Sequence, residues 1–345
     1  MAMNVAAALR VAICGIVVLT LAVPAAADTA ALYEAAKKEG ELTWYTAHTE
    51  GETAEAVGRA FSEKYPGVKV NVIRTTAQVA YQRLRQEIRS SSAQCDVFSS
   101  TDVGHDVALK TEGRFAHYVP ENADKVGPEF RGFDPDGYFY PTVGTLVAIT
   151  YNTEKVRPEE APRRWTDLLD PKWKGKVSVG HPGFSGTVGT WAVLMRKLHG
   201  WDYFEKLERN KPQISRSISD TVTMLASGER AVAAGIASPT LKSADRGNAV
   251  AVSYPEDGTL LIVSPSAVMA NAPHPNAARL FLEFLLSVEH AEVMARNYRQ
   301  PVRPEVRLLK GAKALAEIKV LRPSVDEIVK GIPEVIEQWR DTFGS

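Results

Sequence analysis

The sequence predicts an α/β protein of two lobes, and three observations carry that expectation. Segments with apolar residues at every second position alternate with amphipathic helical segments, the rhythm of a mostly parallel sheet covered by helices. The chain is longer than one hydrophobic core usually supports. Three of its strands run straight into clusters of Ser, Thr, Gly and Asp that open a helix.

The first 27 residues are set apart from the fold. An unbroken apolar run from Val11 to Val23 follows Arg10 and leads to Pro24-Ala25-Ala26-Ala27, the pattern of a secretory signal cleaved after Ala27. A run of about 13 residues is short for a membrane span, which needs roughly 20. Ile13 stands before Cys14 where a lipid attachment site needs a small residue, so export without an anchor is expected. The remaining 318 residues, Asp28 to Ser345, hold one cysteine, Cys95, and no internal disulfide can form. Removal of the signal takes away Arg10 alone and leaves 40 basic against 41 acidic side chains, which makes no case for nucleic acid or an anionic membrane.

The elements follow in order. Leu32 to Lys38 reads as a short helix leading to a strand at Glu41 to Tyr45, where Leu42, Trp44 and Tyr45 are apolar. A helix is expected from about Glu52 to Tyr65, with Ala54, Val57 and Phe61 on one side and Pro66-Gly67 as its stop. Val68, Val70 and Val72 alternate as a strand, Tyr81, Leu84 and Ile88 mark a helix, and Cys95 to Phe98 a further strand.

In open α/β sheets ligands sit beyond the carboxyl ends of strands, where the next helices begin. The sequence offers three such ends. At the first, His48 and Thr49 precede a helix, and Thr49 with Glu52 fits a capping box. At the second, Phe98 meets Ser99, Ser100, Thr101 and Asp102; at the third, Val177 and Val179 lead to Gly183, Ser185, Gly186 and Thr187. Each alone is an ordinary cap. Together they describe an anion site built from helix N-termini.

Catalytic motifs are poorly represented. GFSGT at 183–187 lacks the final glycine of a nucleophile elbow, because Thr187 stands there, and Ser185 has no assignable base. No phosphate-binding G-x-x-x-x-G-K-[ST] loop, H-E-x-x-H pair or C-x-x-C pair is present.

WTDLLDPKWKGKVSV at 165–179 resembles the periplasmic solute-binding proteins of ABC importers, in the group that contains the ferric-ion-binding proteins and their organic-anion-binding relatives. LTWYTAHTEGET, DVFSSTD, GTLVAITYNTEKV, MLASGERAVAAG and YPEDGTLLIVSPSAVMANAPHPNAARLFLEFLLS support it in the same order over about 250 residues. The resemblance implies the type II two-lobe fold, with a hinge of two crossing strands at GTLVAITYN (144–152) and TLLIVSPSAVMA (259–270). It implies lobe 1 at 28–145 plus 265–305 and lobe 2 at 146–264 plus 306–345. The C-terminal helices are expected to pack on lobe 2.

It also implies a function: capture of a small anionic solute, a carboxylate or a phosphate or phosphonate ester, between the lobes, and delivery to an inner-membrane permease by a periplasmic, monomeric protein without cofactor or enzymatic activity. The implied ligand-binding residues are His48, Thr49, Ser100, Thr101, Ser185, Gly186, Thr187, Ser238 and Tyr254. Ferric iron or a ferric chelate is the alternative ligand, with His48 and Asp102 at positions of family metal ligands. The segment GIASPTLKSA (235–244) carries no tyrosine where ferric binders of this group have adjacent tyrosines, and hydroxyls do not replace phenolates as donors to a small trivalent cation. A serine hydrolase using Ser185 is the reading from another class.

Overall fold

A computed structural model describes residues 29–344; the expected signal segment lies outside them. Lobe 1 begins with α1 (Thr29–Glu39), β1 (Glu41–Thr46), α2 (Gly51–Lys64), β2 (Lys69–Arg74), α3 (Ala77–Arg89), β3 (Val97–Ser99) and α4 (Val103–Thr111). β1 lies between β2 and β3 and is parallel to both, Trp44 facing Val72 on one side and Val97 on the other. Ala54, Val57 and Phe61 are the buried stripe of α2, as their spacing predicts. Gly67 ends the connection to β2 at a φ of +93°, a left-handed conformation that favours glycine.

The chain then enters β4 (Tyr140–Asn152), all thirteen residues of which are buried. Lobe 2 continues with β5 (Val177–Gly180), α5 (Gly186–His199), α6 (Asp202–Arg209), β6 (Gln213–Ser215), α7 (Asp220–Ala226), β7 (Val232–Ile236), α8 (Ala237–Asp245) and β8 (Val250–Ser253). β9 (Thr259–Val268) returns to lobe 1, followed by α9 (Pro275–Leu285), α10 (Val288–Arg296), β10 (Val320–Leu321) and α11 (Val325–Phe343). The strands run in the order β2-β1-β3-β9-β4-β7-β5-β6, with β10 on β9 and β8 on β4. The outer strands of each lobe are parallel; β4 and β9, antiparallel to each other from Tyr140↔Ser266 to Val147↔Leu260, stitch the two halves together.

The crossing strands carry hydroxyls inside the sheet, and these satisfy one another. Trp44 Nε1 donates to Ser99 Oγ (2.8 Å), which bonds Ser266 Oγ (2.7 Å), which bonds Thr142 Oγ1 (2.7 Å), joining β1, β3, β9 and β4. Such a closed chain removes the cost of burying polar groups while holding the strand ends in register. In lobe 1, Phe61 meets Phe281 and Phe284 edge to face at 5.1 and 5.5 Å. In lobe 2, Trp339 of α11 is fully buried against Phe204, and α11 lies along α5 and α6.

One buried group is a liability. Asp106 of α4 is fully buried and neither of its carboxyl oxygens has a hydrogen-bond partner of good geometry. Burial, reinforced by the charge of Asp102, pushes its carboxyl well above the ordinary carboxylate range. An acid whose folded-state pKa is raised subtracts stability as pH climbs above its unfolded value, because the unfolded chain releases the proton first. Asp106→Asn should therefore raise the melting midpoint by several degrees at pH 7–8, with the gap to the wild type closing toward pH 4. A thermal scan from pH 4 to 8 checks this, and a constant or inverted gap would contradict it.

Candidate functional site

The carboxyl ends of β1, β2 and β3 in lobe 1 face those of β5, β6 and β7 in lobe 2 across one narrow, closed cavity of about 20 Å³. Residues following each of these strand ends line it, as the general geometry of α/β sheets requires. Helix starts converge there as well. Glu50 is the N-cap of α2, Thr76 that of α3, Ser185 that of α5 and Ile236 that of α8, while Thr101 immediately precedes the α4 cap; all five line the cavity. The helix dipoles, with the backbone N–H groups that no side chain caps at α2, α3 and α8, favour negative charge in this space.

Five of the nine residues proposed from sequence lie on this cavity: His48, Thr49, Thr101, Ser185 and Thr187. The capping box expected of Thr49 and Glu52 does not form. The cap is Glu50, in extended conformation and without a side-chain cap bond, because the helix begins one residue later than the motif suggests. The Thr49 hydroxyl, on a residue only 2% exposed, is left with no partner. Ser185 does cap its helix, accepting from the Val188 N–H at 3.4 Å.

The other four do not line the cavity. Ser100 is consumed inside lobe 1, where its Oγ accepts from the Asp102 N–H and bonds His105 Nδ1, both at 3.0 Å. Gly186 is pressed against the other lobe: a Cβ there would lie 2.5 Å from the Asp102 nitrogen. Ser238 is buried at the start of α8, two residues past the lining residue Ile236. Tyr254 is half-buried, with Lys313 Nζ 5.2 Å from its ring centre. Asp102, the conditional metal ligand, caps α4 through the Gly104 N–H (2.9 Å) and also accepts from Gln78 Nε2 (3.3 Å).

Sequence reading missed the charged part of the site, which is Glu50, Arg74 and Arg299, along with Thr145, Ser217 and Ser219. The Arg299 side chain is 1% exposed; it donates to Thr145 Oγ1 at 2.7 Å and to both Glu50 oxygens at 2.8 and 2.9 Å. Burial alone would raise the Glu50 carboxyl, but the charge and hydrogen bonds of Arg299 outweigh it and hold Glu50 below its ordinary range. Glu50 therefore stays ionised and the pair is electrically neutral. His48 is 3% exposed, and burial, followed by repulsion from Arg299, pushes its imidazole down to about 3. The carbonyls of Pro265 and Ser100 sit beside the ring without either nitrogen closing a well-formed hydrogen bond. His48 is a neutral imidazole at physiological pH.

The lobes also touch outside the cavity. Arg246, the C-cap of α8, donates to both oxygens of Glu52 on α2 at 2.8 Å, and Lys242 of α8 lies 3.2 Å from the same carboxylate. Lys242 also donates to Asn297 Oδ1 at 2.7 Å. Glu52, expected to close a capping box, instead reaches across the cleft.

Comparison with known proteins agrees with this architecture. A Salmonella typhimurium periplasmic protein, assigned provisionally to 2-aminoethylphosphonate binding, is 24% identical over 319 residues, covering 87% of this chain and 88% of its own. Iron uptake protein A1 of Synechocystis is 27% identical over 289 residues, covering 76% of each. Among solved structures, the periplasmic binding protein AfuA of Actinobacillus pleuropneumoniae, with fructose 6-phosphate bound, superposes at a TM-score of 0.80 with 23% identity, over 88% of this chain and 98% of that one. Iron-bound HitA of Pseudomonas aeruginosa superposes at 0.75 with 21% identity, over 88% and 99%. The two superpositions establish a shared two-lobe fold. Residues 94–330 match the family model of the bacterial extracellular solute-binding proteins, and the chain belongs to that family.

Proposed function

We propose that this protein is the periplasmic binding component of an ABC importer and that it captures a small phosphonate or phosphate ester between its lobes. The observation that carries the reading is the charge character of the cavity. Five helix starts and two arginines face a single carboxylate, Glu50, which Arg299 neutralises. The hydroxyls of Thr49, Thr101, Ser185, Thr187, Ser217 and Ser219 line the same space. That is more donors than the roughly four acceptor sites of a carboxylate can use, and a tetrahedral group with three terminal oxygens uses more of them. The relative named for 2-aminoethylphosphonate and the fructose 6-phosphate complex of AfuA point to the same ligand class.

Iron is the second reading, because relatives named for iron uptake match the chain. The donor chemistry disfavours it. The segment 235–244 offers hydroxyls and no phenolate, and hydroxyls are poor donors to a small trivalent cation. The net positive cavity also opposes a bare trivalent cation. A hydrolase would need Ser185 as its nucleophile, and GFSGT at 183–187 lacks the final glycine of a nucleophile elbow. In our reading the protein is a non-enzymatic monomer, exported by a signal cleaved after Ala27. Lobe 1 is 28–145 plus 265–305, lobe 2 is 146–264 plus 306–345, and the ligand-loaded form docks on a membrane permease.

A thermal-shift and calorimetric titration with 2-aminoethylphosphonate, fructose 6-phosphate, citrate and ferric citrate tests the reading. A ligand at a hundred times its dissociation constant adds about 2.7 kcal/mol of stability. Stabilisation by a phosphonate or phosphate ester is expected. Silence with both, together with a visible absorption band on adding ferric citrate, would replace this reading with iron transport.

A further inference from the structure

We propose that Arg74 is the charge anchor of the cavity, gripping one edge of a tetrahedral phosphonate or phosphate through the free fork of its guanidinium. The inference rests on the functional reading above and names the side chain that selects within it.

Two arginines line the cavity and they are not equivalent. Arg299 is already engaged: one terminal nitrogen holds Thr145, the other holds Glu50, and its charge is cancelled where it sits. Arg74 ends β2, and among the described residues its one side-chain hydrogen bond runs from Nε to the Thr49 carbonyl at 2.9 Å. That bond orients the guanidinium plane and leaves both terminal nitrogens for a ligand. Two parallel N–H···O bonds from such a fork match the spacing of two oxygens on one phosphorus or carbon centre. A lysine, with a single rotating ammonium, has no equivalent geometry.

The neighbours of Arg74 favour an oxyanion at the same spot. Thr49, whose carbonyl orients the arginine, lines the cavity as a residue only 2% exposed, and its hydroxyl has no partner. Thr76, two residues past Arg74, caps α3 without a side-chain cap bond, and its hydroxyl is likewise unpartnered. An arginine fork, two free hydroxyls and the open N–H groups of α3 thus meet on the lobe 1 wall, opposite Ser185 and Thr187 of lobe 2. Arg74 is itself an exposed residue, so its charge stays hydrated until ligand arrives and the folded state does not depend on it.

Calorimetric titration of the full chain with 2-aminoethylphosphonate, comparing wild type, Arg74→Ala and Arg74→Lys, tests the proposal. Loss of a charge-assisted pair of hydrogen bonds predicts affinity about 100-fold weaker for the alanine variant and about tenfold weaker for the lysine variant, which keeps the charge without the fork. The melting midpoint of each unliganded variant should stay with the wild type. Affinity of Arg74→Ala within threefold of wild type would overturn the assignment while leaving phosphonate binding intact. Equal affinity of the lysine variant and wild type would overturn the fork geometry. Failure of the wild type itself to bind this ligand, inorganic phosphate or fructose 6-phosphate would instead sink the functional reading on which the inference stands.

Discussion

Gly186→Ala should leave the protein folded and weaken ligand binding by about 10- to 100-fold, the range set by an overpacking cost of about 1–3 kcal/mol. A methyl group at 186 would meet the Asp102 nitrogen at 2.5 Å, its Cβ at 2.6 Å and the Thr101 carbonyl carbon at 2.6 Å. Two of those three atoms are backbone, held by the start of α4, and cannot swing aside. Residue 186 belongs to lobe 2 and residues 101–102 to lobe 1, so relief comes from opening the cleft. Apparent affinity is the intrinsic affinity scaled by the population of the competent form, and the closed form is the one penalised. The clash falls between the lobes and not within either, so the unliganded variant, free to open, should melt close to wild type. Reduced affinity with an unchanged midpoint, and a larger radius of gyration by X-ray scattering at saturating ligand, is the expected combination. Wild-type affinity would show that this contact does not limit closure.

The second large effect concerns the Glu50 and Arg299 pair. Removing one partner of a buried ion pair strands the other and typically costs about 3–5 kcal/mol. The two removals are unequal here, because the Arg299 side chain is 1% exposed and that of Glu50 is 30% exposed. Glu50→Ala leaves a guanidinium that cannot reach water and should fall near the top of that range. Arg299→Met leaves a carboxylate that can hydrate in the cavity or take up a proton, and should cost less. Urea unfolding of both variants measures the difference; a costlier Arg299→Met would mean that Glu50 is the more sequestered partner. The pH dependence has a definite sign. Glu50 titrates below its unfolded value in the folded protein, so its stabilisation is present above the ordinary glutamate range and is lost as pH falls through the depressed folded value. Glu50→Ala should therefore flatten the acid limb of the stability curve.

The strand and helix order was legible because it rests on short-range burial patterns. Leu42 and Trp44, or Ala54, Val57 and Phe61, lie within one element and reveal by spacing alone which face turns inward. The hydroxyl loops at 48–49, 100–101 and 185–187 could be found for the same reason, since small polar residues at a strand end are a local signal. Even so, a one-residue difference in where α2 begins moved the cap from Thr49 to Glu50 and left the Thr49 hydroxyl without a partner.

The charged half of the site had no such signal. Arg299 finds Thr145 across 154 positions and Glu50 across 249, and nothing in the local pattern around NYRQP distinguishes it from a solvated surface arginine. Gly186 could not be sorted from sequence into a ligand contact or a lobe contact, because what a missing Cβ makes room for is decided by whatever lies opposite. Sequence by itself determined the α/β class and the hydroxyl-bearing strand ends, both consequences of burial within one element, while the two crossing segments came from the family resemblance. Only the tertiary structure decided which ends share a cavity, which arginine is already neutralised and where the lobes touch, because β4 and β9 bring together residues that are hundreds of positions apart and carry no local record of one another.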